Sequence, residues 1–103
     1  MYIEYYPLEK LKREIASIIF KQLDAVAHRL FFFGSRVNGT NNERSDIDVD
    51  IEGHRRITSE KFLAIQEEIE NIPTLYKIDV IDFQRITSEF REIASKHIEI
   101  IEA

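Results

Sequence analysis

Apolar residues recur at helical spacing early in the chain, then give way to short runs and strict alternation. Leu8, Leu11, Ile15, Ile18, Ile19 and Val26 return every few positions, which predicts an amphipathic helix over roughly 8–25. Leu30 to Phe33 is wholly apolar and stops at Gly34, the pattern of a buried central strand. Residues 36–45 are polar, with Asn38-Gly39 and Asn41-Asn42 as turn signals. Asp46 to Glu52 alternates carboxylates with Ile47, Val49 and Ile51, which predicts a second strand closed by Gly53. Helical spacing resumes over Ser59 to Asn71 through Phe62, Leu63, Ile65 and Ile69, and Pro73 lies just past the end. Lys77 to Phe83 reads as a third strand. Thr87 to about Ile101 reads as a last helix, its stripe made of Phe90, Ile93, Ala94, His97 and Ile101.

The order helix, strand, strand, helix, strand, helix, with room for a short helix after Gly34, points to an α/β sheet carrying helices on one or both faces. Arg-Ile-Thr-Ser-Glu occurs at Arg56 to Glu60 and again at Arg85 to Glu89, each time before an expected helix. Period and flanks of the two copies match poorly, so a shared need explains them better than duplication. Thr or Ser suits an N-cap, and Glu suits the positive end of a helix dipole.

The 103 residues are read as one domain, 1–103. A net charge of −5 leaves no basic surplus for releasing counterions from nucleic acid, so direct nucleic-acid binding is not expected. With no cysteine, any metal must rest on oxygen or imidazole ligands. No apolar run approaches the roughly 20 residues that span a bilayer, and no secretory leader pattern opens the chain. A cytoplasmic protein without membrane attachment is the expectation.

The candidate chemistry lies between residues 34 and 79. A Gly34-Ser35 turn after a buried strand frees backbone N–H groups for an anion, and Arg36 offers a bidentate grip on phosphate oxygens. Strand parity puts Asp46 and Asp48 on one face. Two such carboxylates repel by about 1 kcal/mol even in water, and a divalent cation would offset this. Hard oxygen ligands suit magnesium, which completes its shell with water and substrate phosphate. Asp50 and Glu52 continue the alternation, so an edge strand with an acidic solvent face fits equally well at this point. Asp79 tips the balance. If Ile78 and Val80 join the core face of Ile47 and Val49, Asp79 falls beside Asp46 and Asp48. Three carboxylates from two strands form a ligand set for metal-assisted nucleotidyl transfer. Asp82 points the other way and reads as a strand-end residue.

Gly34-Ser35, ten residues, Asp46-x-Asp48 and a later strand bearing Asp79 resemble the nucleotidyltransferase superfamily that includes DNA polymerase beta. Phe33-Gly34-Ser35-Arg36 and Ser45-Asp46-Ile47-Asp48 look most like its minimal nucleotidyltransferases, and the resemblance spans nearly the whole chain. It implies an α/β (α+β) fold with a small mixed sheet flanked by helices. It also implies Mg2+, in two ions, and a nucleoside triphosphate, most often ATP, as substrate. Gly34, Ser35 and Arg36 would then bind nucleotide, while Asp46, Asp48 and Asp79 would be metal ligands and catalytic residues. Minimal members commonly accompany a small helical protein of the HEPN type, often a ribonuclease toxin, and several resemble antitoxins that transfer AMP to a tyrosine of that partner. The expected partners are therefore a nucleoside triphosphate and a HEPN-type protein, in a homo- or hetero-oligomer. The alternative is a catalytically weak subunit that neutralises or positions its partner by binding. Two positions depart from the family pattern. Asp50 stands where relatives usually carry an apolar or small residue, and Val37-Asn38 replaces a small-plus-basic pair.

The remaining polar and aromatic features read as structural. His28, His54 and His97 lack ligand spacing, and Arg91 with His97 mimics a HEPN ribonuclease motif in the wrong fold. Tyr2, Ile3, Tyr5 and Tyr6 are expected to pack on the domain or a neighbour. Arg44 and Lys77 flank the acidic cluster as charge balance.

Overall fold

The computed structural model describes residues 3, 6–33, 46–85, 89, 92 and 98–101. Helix α1 covers Leu8–Gln22, behind Pro7, whose carbonyl accepts the Leu11 N–H at 3.0 Å. It buries Leu11, Ile15, Ala16 and Ile19, the face that the spacing marks. It stops short of the expected residue 25 because Asp24 Oδ1 takes the Val26 N–H at 2.9 Å. That Asx turn competes with helical continuation.

Strand β1 is Arg29–Phe33, β2 is Ile47–Glu52, β3 is Ile78–Asp82 and β4 is Glu99–Ile101. They form one mixed sheet in the order β3-β2-β1-β4, with β1 antiparallel to both neighbours and β2 parallel to β3. Helix α2, Ser59–Glu70, carries the parallel connection. Thr58 caps it by accepting the Lys61 N–H at 3.3 Å, the N-cap role expected of the first Arg-Ile-Thr-Ser-Glu copy.

Period-two alternation divides the strands cleanly. Leu30, Phe32, Ile47, Val49, Ile51, Val80 and Ile101 face α1 and α2 and form the main core with Ile65 and Ile69. Ile3 and Tyr6 join this core, so the described part of the N-terminal cluster packs on the domain. The opposite sheet face holds a second cluster of Phe31, Phe33 and Phe83 against Ile81 and Ile98. Phe31 and Phe83 meet edge to face with centroids 5.3 Å apart.

Two sequence expectations change here. The last helix does not reach Ile101: Glu89 and Glu92 are helical, but Glu99–Ile101 pairs with β1. Strand β1 would otherwise expose a row of unpaired backbone groups, and the Ile-rich tail has the β-branched side chains to cover it. Ile101 then reaches the core face, and Glu99 meets Lys12 of α1 at 3.2 Å. The second change concerns β2, which lies inside the sheet rather than at its edge. Its carboxylate face is therefore not simply a solvated rim.

Asp82 ends β3 as a buried clamp. Its Oδ2 accepts the Ile57 N–H at 2.7 Å and Arg85 Nε at 3.2 Å, and its Oδ1 accepts the Gln84 N–H at 3.0 Å. Arg85 Nη2 also donates to the Ile57 carbonyl at 2.6 Å, tying the entry to α2 to the end of β3. We expect Asp82→Ala to destabilise the fold by about 3 kcal/mol in chemical denaturation, because it strands buried donors. A loss below about 0.5 kcal/mol would mean that these groups find water instead.

Candidate active site

Parallel pairing of β2 with β3 sets Ile47 opposite Ile78 and Asp48 opposite Asp79. The Ile47 N–H donates to the Lys77 carbonyl at 2.9 Å and fixes this register at its first rung. Because side chains alternate, Asp46, Asp48 and Asp79 stand on one face at the same end of the sheet, as parity predicts. Strand β1 runs the other way and delivers its last residue, Phe33, opposite Asp48. The expected nucleotide-binding residues Gly34, Ser35 and Arg36 follow directly in sequence and lie outside the described residues, as does Arg44.

The three carboxylates sense one another. Burial, then the charges of Asp79 and Asp46, push the Asp48 carboxyl up to about 6. Asp79 is also raised, first by burial and then by a hydrogen bond with Asp46 and its charge, against a lowering influence from Lys77. Lys77 Nζ lies 3.9 Å from Asp46 Oδ2 and 3.8 Å from Asp79 Oδ1. It is largely exposed, so these long ion pairs add little stability while balancing charge as expected. A groove of about 270 Å3 opens beside this end, between the C-terminal half of α2 and β3, and Asp79 and Lys77 line it.

Asp50 occupies a different environment. It pairs in register with Phe31 on one side and Ile81 on the other, and none of it is exposed. Neither carboxylate oxygen has a hydrogen-bond partner among the described residues. Burial first, then the charges of Asp48 and Glu52, push its carboxyl up to about 7.

The family profile described as "Polymerase beta, Nucleotidyltransferase" matches residues 13–103, most of the chain and all three site carboxylates. The chain belongs to this nucleotidyltransferase family. No curated protein sequence matches it significantly. Among solved structures it is similar to a chain in "Crystal structure of the toxin-antitoxin with AMP-PNP". The TM-score is 0.71 and the identity 13%, and the match covers 89% of this chain and 73% of that one. At that identity the likeness is one of fold, and the mixed sheet flanked by helices agrees with it.

Family membership implies a divalent cation, and the donor set suits one: hard carboxylate oxygens on a shared face, with Asp48 and Asp79 raised by burial and mutual charge that a cation would relieve. Among the described residues, no three potential ligands already converge on one point. Asp46 and Asp79 instead share a hydrogen bond beside the Lys77 ammonium.

Sequence reasoning missed the burial of Asp50. The signal was present in β1: a strand apolar on four successive residues, Leu30 to Phe33, is covered on both faces. Its neighbour is then covered near the middle as well.

Both raised carboxyls, near 6 and near 7, bind protons more tightly in the folded protein than in the unfolded chain. Metal-free stability should therefore fall as pH rises from about 4 to about 7, since the unfolded chain ionises first. Thermal denaturation at pH 5 and at pH 8 checks this, and added Mg2+ should recover stability at pH 8. An unchanged midpoint would contradict the shifts. Asp50→Val should raise stability at pH 8 by about 2 kcal/mol, by removing a buried carboxylate that has no hydrogen-bond partner among the described residues. Equal or lower stability would show that Asp50 has a compensating partner.

Proposed function

We propose that this nucleotidyltransferase moves a nucleoside monophosphate, AMP from ATP, to a hydroxyl on a partner protein. The acceptor is a tyrosine of a HEPN-type toxin, and the chain acts as the antitoxin. The observation that carries the proposal is the Asp48–Asp79 register, which joins Asp46 and Asp48 to a third carboxylate. The match to a nucleotidyltransferase family supports the reaction class, and the AMP-PNP complex of a fold relative supports the nucleotide and the biological setting.

In this scheme Asp46, Asp48 and Asp79 would hold magnesium, with Asp46 and Asp48 serving the triphosphate. The bound cation supplies positive charge to the phosphate oxygens and the leaving pyrophosphate. The acceptor hydroxyl would be activated by a second cation, or would lose its proton to Asp79 acting as base in place of that ligation. The acceptor oxygen forms a bond to the α-phosphorus while the α–β phosphoanhydride bond breaks, and pyrophosphate carries the departing electron pair. Gly34 and Ser35 hold phosphates through backbone and hydroxyl, and Arg36 adds a bidentate contact.

A second reading, a binding subunit with little catalysis, draws on Lys77. Its ammonium already lies within 4 Å of Asp46 and Asp79, where a catalytic cation would have to compete. Incubation with ATP, Mg2+ and the partner should yield one AMP adduct by mass spectrometry. Asp46→Ala or Asp48→Ala should reduce its formation by about 1,000-fold. Neutralisation of the toxin that survives Asp46→Ala with no adduct would transfer the case to the binding subunit.

A further inference from the structure

Among the described residues, strand β3 is an outer strand of the sheet and pairs with β2 alone. The Ile47-to-Lys77 hydrogen bond and the parallel register turn the N–H and C=O groups of Lys77, Asp79 and Ile81 toward β2. Ile78 and Val80 consequently aim theirs at the open side. That side is a floor of the groove whose other lining includes Gln66, Glu70 and Tyr76. Leu75, next in sequence to Thr74 and Tyr76 of that lining, is fully exposed. An edge whose outward donors and acceptors meet no strand among the described residues, beside a groove, is built for an added strand.

We propose that an extended, basic segment of the partner protein docks along β3 as a fifth strand and places its acceptor hydroxyl beside Asp79. This rests on the transfer reaction proposed above and names where its second substrate binds. In an antiparallel addition the residues opposite Ile78 and Val80 exchange backbone hydrogen bonds with them. The residue opposite Asp79 then falls in the closer, non-hydrogen-bonded position, with Cβ atoms about 4.5–5.5 Å apart on the carboxylate face. Charge selects the occupant. Glu70 and Asp79 line the groove against one described cation, Lys77, and the chain carries a net −5, a balance that attracts a basic segment. A second copy carries the same net −5 and is repelled on overall charge.

The test uses the full chain and a short peptide alternating lysine and valine around a central tyrosine. In 15N NMR, the amides of Ile78 and Val80 should shift and become protected from solvent exchange on titration. Those of Asp79 and Ile81, already turned to β2, should gain no protection. Ile78→Pro removes one outward donor at the first residue of the strand, where proline is tolerated. Glu70→Arg reverses the groove charge. Each should weaken peptide binding by about tenfold, while Mg2+–ATP binding stays within about twofold of wild type. Undiminished peptide binding in both variants, or no response at Ile78 and Val80, overturns the docking site. Protection of those amides that rises with protein concentration alone would assign the edge to a second copy and overturn the partner assignment. Absence of Mg2+–ATP binding with the edge response intact would instead defeat the transfer reaction and leave the docking surface standing.

Discussion

Two acidic strands lie parallel in this sheet with Asp48 set directly against Asp79, and everything at the site depends on holding that register. At about 4 Å two unit charges repel by about 1 kcal/mol in water and about 4 kcal/mol at the effective dielectric of a protein surface. The opposing grip comes from the other side of the same strands. Ile47, Val49, Ile51 and Val80 are almost fully buried against α1 and α2. A one-residue slip of β2 would send Asp48 and Asp50 into that core and its own Ile47, Val49 and Ile51 out of it. Each such aliphatic group contributes about 1.5–3 kcal/mol by burial, so the core easily outweighs the repulsion it enforces. The carboxylates are neighbours because their alternates are hydrophobic.

The same alternation explains why the carboxylate face is not uniform along its length. At the end near Phe33 it opens, and Asp46, Asp48 and Asp79 keep partial access to water and to Lys77. Two residues further along β2 it closes beneath Phe31, Phe33 and Phe83, and Asp50 falls within reach of that aromatic cluster. One strand therefore grades from half-buried carboxylates to a fully buried one within two residues. A low-dielectric floor strengthens whatever electrostatic contacts form above it, and it also raises the cost of keeping those groups charged. The upward shifts at Asp48 and Asp50 are two readings of that gradient.

Much of this was legible because it depends on period. Two-residue alternation put Asp46, Asp48 and Asp79 on one face, and the apolar β1 announced a central strand. Helix spacing located α1 and α2 to within three residues at their ends. What escaped depends on partners distant in sequence. The Ile98-to-Ile101 tail fits a helical stripe as well as a strand, and the open edge of β1 decides between them. Asp82 looked like a strand-end residue, yet its role is set by Ile57 and Arg85, which only the fold brings together. Asp50 looked like one more member of an acidic face, and its burial follows from β2 lying between two strands. Gly34, Ser35 and Arg36 stay readings of the sequence.

The two ends of the sheet order divide the labour of managing edges. β4 is only three residues long, Glu99–Ile101, and short edge strands offer little template for a further chain. β3 is longer, carries no proline, and exposes the donors and acceptors of Ile78 and Val80 beside a groove rather than beneath a covering helix. The groups beside it are charged: Asp79 and Lys77 lie 3.8 Å apart along the strand, and Glu70 stands across the groove. Charges so placed favour a chain that complements them, so this edge discriminates by charge where β4 discriminates by being short.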